Sequence, residues 1–278
     1  MIRHVEIENF KSHKYTSLDF SNLTVLCGAN SSGKSSVIQA LLLLREASIN
    51  NSNFEFANLR SNLVNLGTLK DILYQFANED KIKFAINTDK QEMLFISSIK
   101  IGTESTKYIL PITGKNTAIR KDESLFDNNF QYIGAARLGP QESYIKNDRV
   151  EIDNQISKEE GKAENVVEFL DKKRYLDVMP EISIPRHDKD LLAQVTAWER
   201  EISSGVNVII KDNGKLGYEL KYQFNTNTSL GRTDEISAIN VGFGLTYALP
   251  LIVAILSARK DAVLFILKSA SQIFCKPP

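Results

Sequence analysis

The sequence predicts an α/β fold, and three observations predict it. A compact apolar run, Leu23-Thr24-Val25-Leu26-Cys27, passes through a glycine-bearing loop into a helical pattern over 35–46. Apolar residues alternate across 81–110, the mark of antiparallel strands. A charged stretch over 145–204 carries helical periodicity instead. With 42% hydrophobic and 24% charged residues, a chain of 278 residues buries a real core and is not disordered.

The elements follow in order. Val5, Ile7 and Asn9 alternate with Glu6, Glu8 and Phe10, as in an edge or half-buried strand. A second strand covers about 16–20, after the polar turn 11–14. The run 23–27 reads as a buried central strand. Over 35–46, Val37, Ile38, Leu41, Leu42, Leu44 and Arg45 supply a helix with a wide apolar face. Residues 50–58, rich in Asn and Ser, read as a loop, and 63–76, broken at Gly67, supports no single assignment. Ile82, Phe84, Ile86, Leu94, Ile96, Ile99, Ile101, Tyr108 and Leu110 then mark strands joined by turns at 87–90 and 102–105. A further strand is expected over 129–136.

Beyond it, 144–204 is charged and largely helical. Val166, Val167, Phe169 and Leu170 share one helical face, and Leu192, Val195, Trp198 and Ile202 share another. Strands 206–210 and 218–224 flank the turn 212–214. The segment 240–256 opens on glycines and continues as a helix, and 262–266 is a last apolar strand. The stretch 145–204 reads as a helical insertion within a single domain spanning 1–278.

Several function classes are disfavoured. Thirty-four basic residues balance thirty-four acidic ones, so no global field advertises nucleic acid; a local patch stays open. Cys27 and Cys275 form neither a disulfide framework nor a zinc pattern, and His4, His13 and His187 are scattered. The N-terminus has no apolar signal-peptide core. The longest apolar stretch, 247–256, is broken by Pro250 and falls short of the ~20 residues that span a bilayer. A cytoplasmic protein without a membrane partner is the expectation.

The chemistry concentrates at Gly28-Ala29-Asn30-Ser31-Ser32-Gly33-Lys34-Ser35, a full match to G-x-x-x-x-G-K-[ST], with Ser36 beside it. Glycines let the backbone curl so that successive N–H groups face a phosphate. The helix that starts near Lys34 adds its positive end to the same anion. Lys34 is the candidate catalytic cation at the β- and γ-phosphates. The Ser35 hydroxyl suits Mg²⁺, a hard cation that prefers oxygen. The flanking strand and helix are the context this motif requires, so ATP with Mg²⁺ is the expected ligand.

Two stretches carry a family resemblance: Ile7-Glu8-Asn9-Phe10-Lys11-Ser12-His13, and the run from Leu23 through the loop to Leu41. They resemble the ABC-type ATPase heads of the SMC, RecF and OLD group, most closely the bacterial OLD-like AAA ATPases. Tyr132–Gln141 resembles the strand and loop before that group's lateral helices, and 240–246 resembles its signature segment. The resemblance implies a P-loop head with a mixed sheet, an antiparallel lobe and a helical insertion. It implies two heads sandwiching ATP, in a homodimer or with a partner subunit, with Asn240, Gly242 and Gly244 acting in trans. It also implies ties to DNA or anti-phage defence.

Gln141 is a candidate for the loop glutamine that senses Mg²⁺ and the attacking water; the plain alternative is a polar turn after Pro140. Arg137 either neutralises phosphate or pairs with a carboxylate. Lys11 lines the nucleotide's mouth or is a solvated turn lysine, and Trp198 reads as core or interface. The glycines at 242 and 244 have an ordinary reading too, a helix start packed closely on a sheet.

One expected part is missing. The apolar strand Ala262–Ile266 occupies the position of a Walker B strand, whose acids follow at once in such heads. Here the chain reads Leu267-Lys268-Ser269-Ala270-Ser271-Gln272. Asp261 stands at the opposite end, ~16 Å away along five extended residues. The expectation is a C-terminally incomplete head, from a frame slip, a truncation or a split gene, that binds ATP and hydrolyses it poorly. Two alternatives stay open: a competent ATPase completed by another acid or a partner chain, and a non-enzymatic regulatory subunit.

Overall fold

The structure, a computed structural model, describes residues 1–50, 53–99, 107–115, 122–147, 150–227, 231–267 and 271–275. In chain order the elements are β1 (Ile2–Phe10), β2 (His13–Asp19), β3 (Leu23–Cys27), α1 (Lys34–Asn50), β4 (Phe56–Asn58), α2 (Leu69–Ile72), β5 (Lys81–Thr88), β6 (Glu92–Ser98), β7 (Ile109–Pro111), β8 (Gly114–Lys115) and β9 (Phe130–Ile133). There follow α3 (Val150–Asp153), α4 (Val166–Lys172), α5 (Leu191–Ile202), β10 (Val206–Asp212), β11 (Tyr218–Phe224), β12 (Ile236–Ser237), α6 (Phe243–Leu256), β13 (Val263–Leu267) and β14 (Ser271–Cys275). The predicted α/β class holds. The chain divides into two compact units, Met1–Phe130 joined by the chain from Phe265, and Gln131–Leu264.

In the first unit, five strands form a sheet of order β2-β1-β5-β6-β8, with every pairing antiparallel. Strand β1 lies inside this sheet, not at its edge, so the edge alternative is corrected. Val5 and Ile7 point into the core with Ile82, Phe84 and Ile86 of β5. The alternation then breaks. Asn9 takes a left-handed φ of 57°, which shifts the phase and buries Phe10 rather than Asn9. Phe10 packs edge-on against Phe84 at 5.3 Å between ring centres. The turn at 87–90 is present, closed by Thr88 N–H donating to Gln91 O at 2.9 Å; the turn predicted at 102–105 lies outside the described residues.

Helix α1 is buried on nearly all sides from Val37 to Ser48, which explains its poor amphipathicity. Arg45 is buried with the leucines. It donates to Leu125 O at 2.7 Å and Asp127 O at 2.8 Å, and lies 4.1 Å over the Phe130 ring. Burial lowers its pKa to about 10, so it stays charged at neutral pH. The expected loop 50–58 instead ends in β4, which pairs with β7.

Strand β3 corrects an expectation. Leu23 is 56% and Val25 47% exposed, so this is not a buried central strand. Among the described residues its ladder partner is β14 alone, running antiparallel from Ser271↔Cys27 to Cys275↔Leu23. One neighbour leaves its apolar side chains open to solvent.

In the second unit, β10 and β11 form a hairpin in register from Val206↔Phe224 to Asp212↔Tyr218, with β12 beside β11. Helices α4, α5 and α6 pack against one another, and α4 and α5 lie on the hairpin. Among the described residues, the stretch predicted as largely helical holds three α-helices of unequal length and a short 3-10 turn, Pro180–Ile182, joined by loops. Helix α4 buries Val166, Val167, Phe169 and Leu170 as predicted. Helix α5 is rotated from its predicted face: Leu191, Gln194, Val195, Ala197 and Glu199 are buried, while Trp198 and Ile202 are exposed. The cause is polar. Gln194 bonds Ile184 N at 2.7 Å, Ile184 O at 3.2 Å and Asp188 O at 2.8 Å, which draws it inward. Trp198 Nε1 donates to Ile182 O at 3.0 Å from outside. Among the described residues, no helix is long and apolar enough to cross a membrane.

Candidate functional site

The loop Gly28–Gly33 joins β3 to α1 in the first unit. Ser31 and Gly33 both adopt left-handed backbone, φ 64° and 89°. At Gly33 the need for glycine is steric as well. A Cβ there would stand 2.7 Å from His13 Nε2 and 2.7 Å from Ser12 Oγ. The β1–β2 turn therefore presses on the loop from behind. His13 Nε2 donates to Gly33 O at 3.1 Å, and its Nδ1 accepts from Thr16 Oγ1 at 2.7 Å, which fixes the tautomer. The partner of His13 lies twenty residues on, beyond any local pattern.

Helix α1 has no acidic residue in its first turn, so nothing there competes with an anion. Ser36 N donates to Gly33 O at 2.9 Å, closing the first turn. Lys34 Nζ lies across the loop, donating to Gly28 O at 2.8 Å, Ala29 O at 2.6 Å and Ser32 Oγ at 3.4 Å. Ala29, Asn30, Ser31, Ser32 and Ser35 are exposed. Lys11 is half-buried and donates to Gln39 Oε1 at 2.8 Å, so it is not a solvated turn lysine. Burial holds its pKa below the usual lysine range, partly offset by Asp71.

This geometry suits a triphosphate. Left-handed residues at 31 and 33 curl the loop, a helix N-terminus adds positive potential, and the Lys34 ammonium lies across the loop. The Ser35 hydroxyl, exposed in the first turn, is the oxygen donor that would hold Mg²⁺ alongside phosphate oxygens and water.

The remaining candidates fall in the second unit. Gly242 caps α6, Gly244 is its second residue, and Asn240 closes the short 3-10 turn before it. A Cβ at either glycine would meet nothing within 4 Å, so their surroundings do not require glycine for packing. That removes the ordinary reading of a helix start pressed onto a sheet. Thr246 and Leu249 anchor the helix beneath.

The loop 137–141 lies against this helix. A Cβ at Gly139 would touch Phe243 at 3.5 Å and Tyr247 at 3.7 Å. The Arg137 guanidinium lies 5.9 Å from the Tyr247 ring centre, and Nη1 donates to Gly134 O at 3.4 Å. Burial lowers the pKa of Arg137. Gln141 Nε2 donates to Gly139 O and Pro140 O, each at 3.2 Å. The structure thus brings Gln141 and the signature-like segment into one neighbourhood, though they stand a hundred residues apart in sequence. Among the described residues, no three His, Cys, Asp or Glu side chains converge as a metal site.

The model of the AAA ATPase domain family matches residues 1–173. The chain is 43% identical over 60 residues to the DNA double-strand break repair Rad50 ATPase of Methanococcus maripaludis, covering 21% of this chain and 6% of that protein. It is 28% identical over 113 residues to an ATP/GTP phosphatase of Helicobacter pylori, covering 39% and 30%. It therefore spans well under two thirds of either relative. With the family model matching residues 1–173, more than half of its length, the chain belongs to the AAA ATPase domain family.

Proposed function

We propose that this chain is an ATP-binding head of the OLD-like branch, working on DNA or in defence against phage. The observation that carries the ATP reading is Gly33, held left-handed against Ser12 and His13, with Lys34 lying across the loop mouth. Binding would exchange the bonds from Lys34 to Gly28 O and Ala29 O for charge-assisted bonds to phosphate oxygens, which are stronger. Backbone N–H groups of 29–36 would cradle the β-phosphate, and Ser35 would hold Mg²⁺, which neutralises charge on the oxygens it bridges.

In a sandwich of two heads, the open helix start at Gly242 and Gly244 of one copy would meet the γ-phosphate held by the other. Phe243 between them supports that reading, since it is 65% exposed although Gly139 and Tyr247 lie beside its ring. Gln141, whose loop lies against the same helix, would orient a water there. Hydrolysis by the chain alone is expected to be slow, because Leu267 to Gln272 carries no acid after β13.

The test is binding of a fluorescent ATP analogue and phosphate release with Mg²⁺, beside Lys34→Ala. Losing the lysine's bonds to phosphate should weaken binding roughly tenfold to a hundredfold. Wild-type binding with little turnover supports the proposal. Brisk turnover abolished in the variant would show that another acid completes the site. Equal binding by both proteins would remove the P-loop from the function.

A further inference from the structure

The solvent face of the five-stranded sheet carries a cavity of about 340 Å³, lined by Glu8, Lys14, Tyr15, Phe76, Lys81 and Lys83 among others. It lies wholly in the first unit and shares no residue with the phosphate loop. Register explains it. Glu8 of β1 stands opposite Tyr15 of β2 and Lys83 of β5, so these three side chains form one row across the sheet. Ile7 and Phe84 fill the other face, which commits the row to solvent.

The wall is the segment after α2. Tyr74 N donates to Asn9 O at 3.0 Å, docking this segment along β1. Tyr74 and Phe76 then meet edge-to-face at 5.8 Å, which holds the Phe76 ring upright although it is 69% exposed. Tyr15 is 60% exposed. Two large rings thus stand in water beside one cavity. Single exposed apolar residues need no explanation; two rings flanking a cavity at the small end of the ~300–1,000 Å³ typical of ligand sites do.

The charges narrow the ligand. Lys83 pairs with Glu8 at 3.0 Å and Lys81 with Glu79 at 2.9 Å, so the floor is polar with little net field. Lys14 makes no ion pair among the described residues and adds one positive charge. Rings to stack on and a single spare cation suit a planar base that brings one phosphate. They do not suit a bare polyanion, which would want a field, or an aliphatic chain, which would want a dry floor.

We infer that this cavity takes an unpaired nucleotide of a single-stranded nucleic acid, its base stacked on Tyr15 or Phe76 and its phosphate at Lys14. This gives the nucleic-acid part of the proposed function a site, and rests on that reading in that respect only. Base–aromatic stacking tolerates any sequence, because every base has a π-face.

The experiment is anisotropy of a labelled oligothymidine on the full chain at low salt, with Tyr15→Ala, Phe76→Ala and Lys34→Ala, and a fluorescent ATP analogue measured on the same proteins. Both rings are mostly exposed, so the variants should fold; Tyr15→Phe and Phe76→Tyr keep the stacking surface and should restore binding. We expect each alanine variant to weaken strand binding about tenfold and leave ATP binding unchanged, and Lys34→Ala to do the reverse. Strand binding that is absent, or unmoved by both alanines, overturns the inference. So does a loss of ATP affinity in Tyr15→Ala or Phe76→Ala, which would make the cavity the base site of a free nucleotide. Failure of the ATP reading shows separately, in Lys34→Ala.

Discussion

Replacing Glu199 by Gln should make the protein more stable, and increasingly so as pH rises. Glu199 sits on α5, fully buried, with neither carboxylate oxygen hydrogen-bonded. Near it stands Tyr222 of β11, whose buried hydroxyl faces that of Thr246 on α6. No cation offsets its charge, so burial alone raises its pKa from 4.5 to about 8. The sign follows from linkage. The folded state holds the proton more tightly than the unfolded chain, so the full stability is present below pH 4.5. It is lost as pH climbs from there toward 8, and stays lost above. A rise of three to four pKa units at 1.36 kcal/mol each makes that loss about 5 kcal/mol; at pH 7 it is about 3 kcal/mol. Glutamine keeps the volume and never ionises. Urea or thermal denaturation followed by circular dichroism, from pH 5 to 8.5, measures the difference. The two proteins should converge near pH 5 and separate by several kcal/mol at pH 8.5. Parallel curves, or a less stable glutamine variant at high pH, would mean the carboxylate has a partner or water, and the reasoning fails.

Three further perturbations test the packing around the candidate sites. Gly33→Ala should cost about 1–3 kcal/mol and abolish the loop's phosphate geometry, because φ 89° and contacts at 2.7 Å leave no room for a Cβ; melting temperature and ATP-analogue binding should fall together. Arg45→Met should destabilise the first unit by about 3 kcal/mol through the two carbonyls left without a donor, and Arg45→Lys should recover only part, since one ammonium lacks the planar fork; chemical denaturation reads both. Gly161→Ala, whose Cβ would lie 2.2 Å from Gly134 N, should break the Gly134 N–H to Gly161 O bond that holds β9's end, seen as faster amide exchange at Gly134.

What the sequence revealed, and what it hid, follows one physical line. The phosphate loop was legible because its chemistry is local: glycines, lysine and serine at fixed spacing, with the strand and helix adjacent. The hairpin around 212–214 was legible for the same reason. Asp212 Oδ1 accepts from Gly214 N at 2.8 Å, a bond between residues two apart. The His13–Gly33 bond, the Arg45 cap on Leu125 and Asp127, and the Gln141–signature neighbourhood each join segments distant in sequence, and no periodicity encodes a partner. Hydropathy also ranks residues by type, so it placed Trp198 and Ile202 inward on α5 and passed over Gln194 and Glu199. Gln194 overturned that ranking by matching three backbone groups at once. Glu199 matches none, and that contrast is the informative one. A buried polar side chain with its bonds made explains a fold, whereas one without them marks a position where the packing of α5 against α6 carries a cost that protonation removes. The same division applies on the surface. Tyr15 and Phe76 stand far apart in sequence, and only the sheet register and the Tyr74 contact bring both to one cavity.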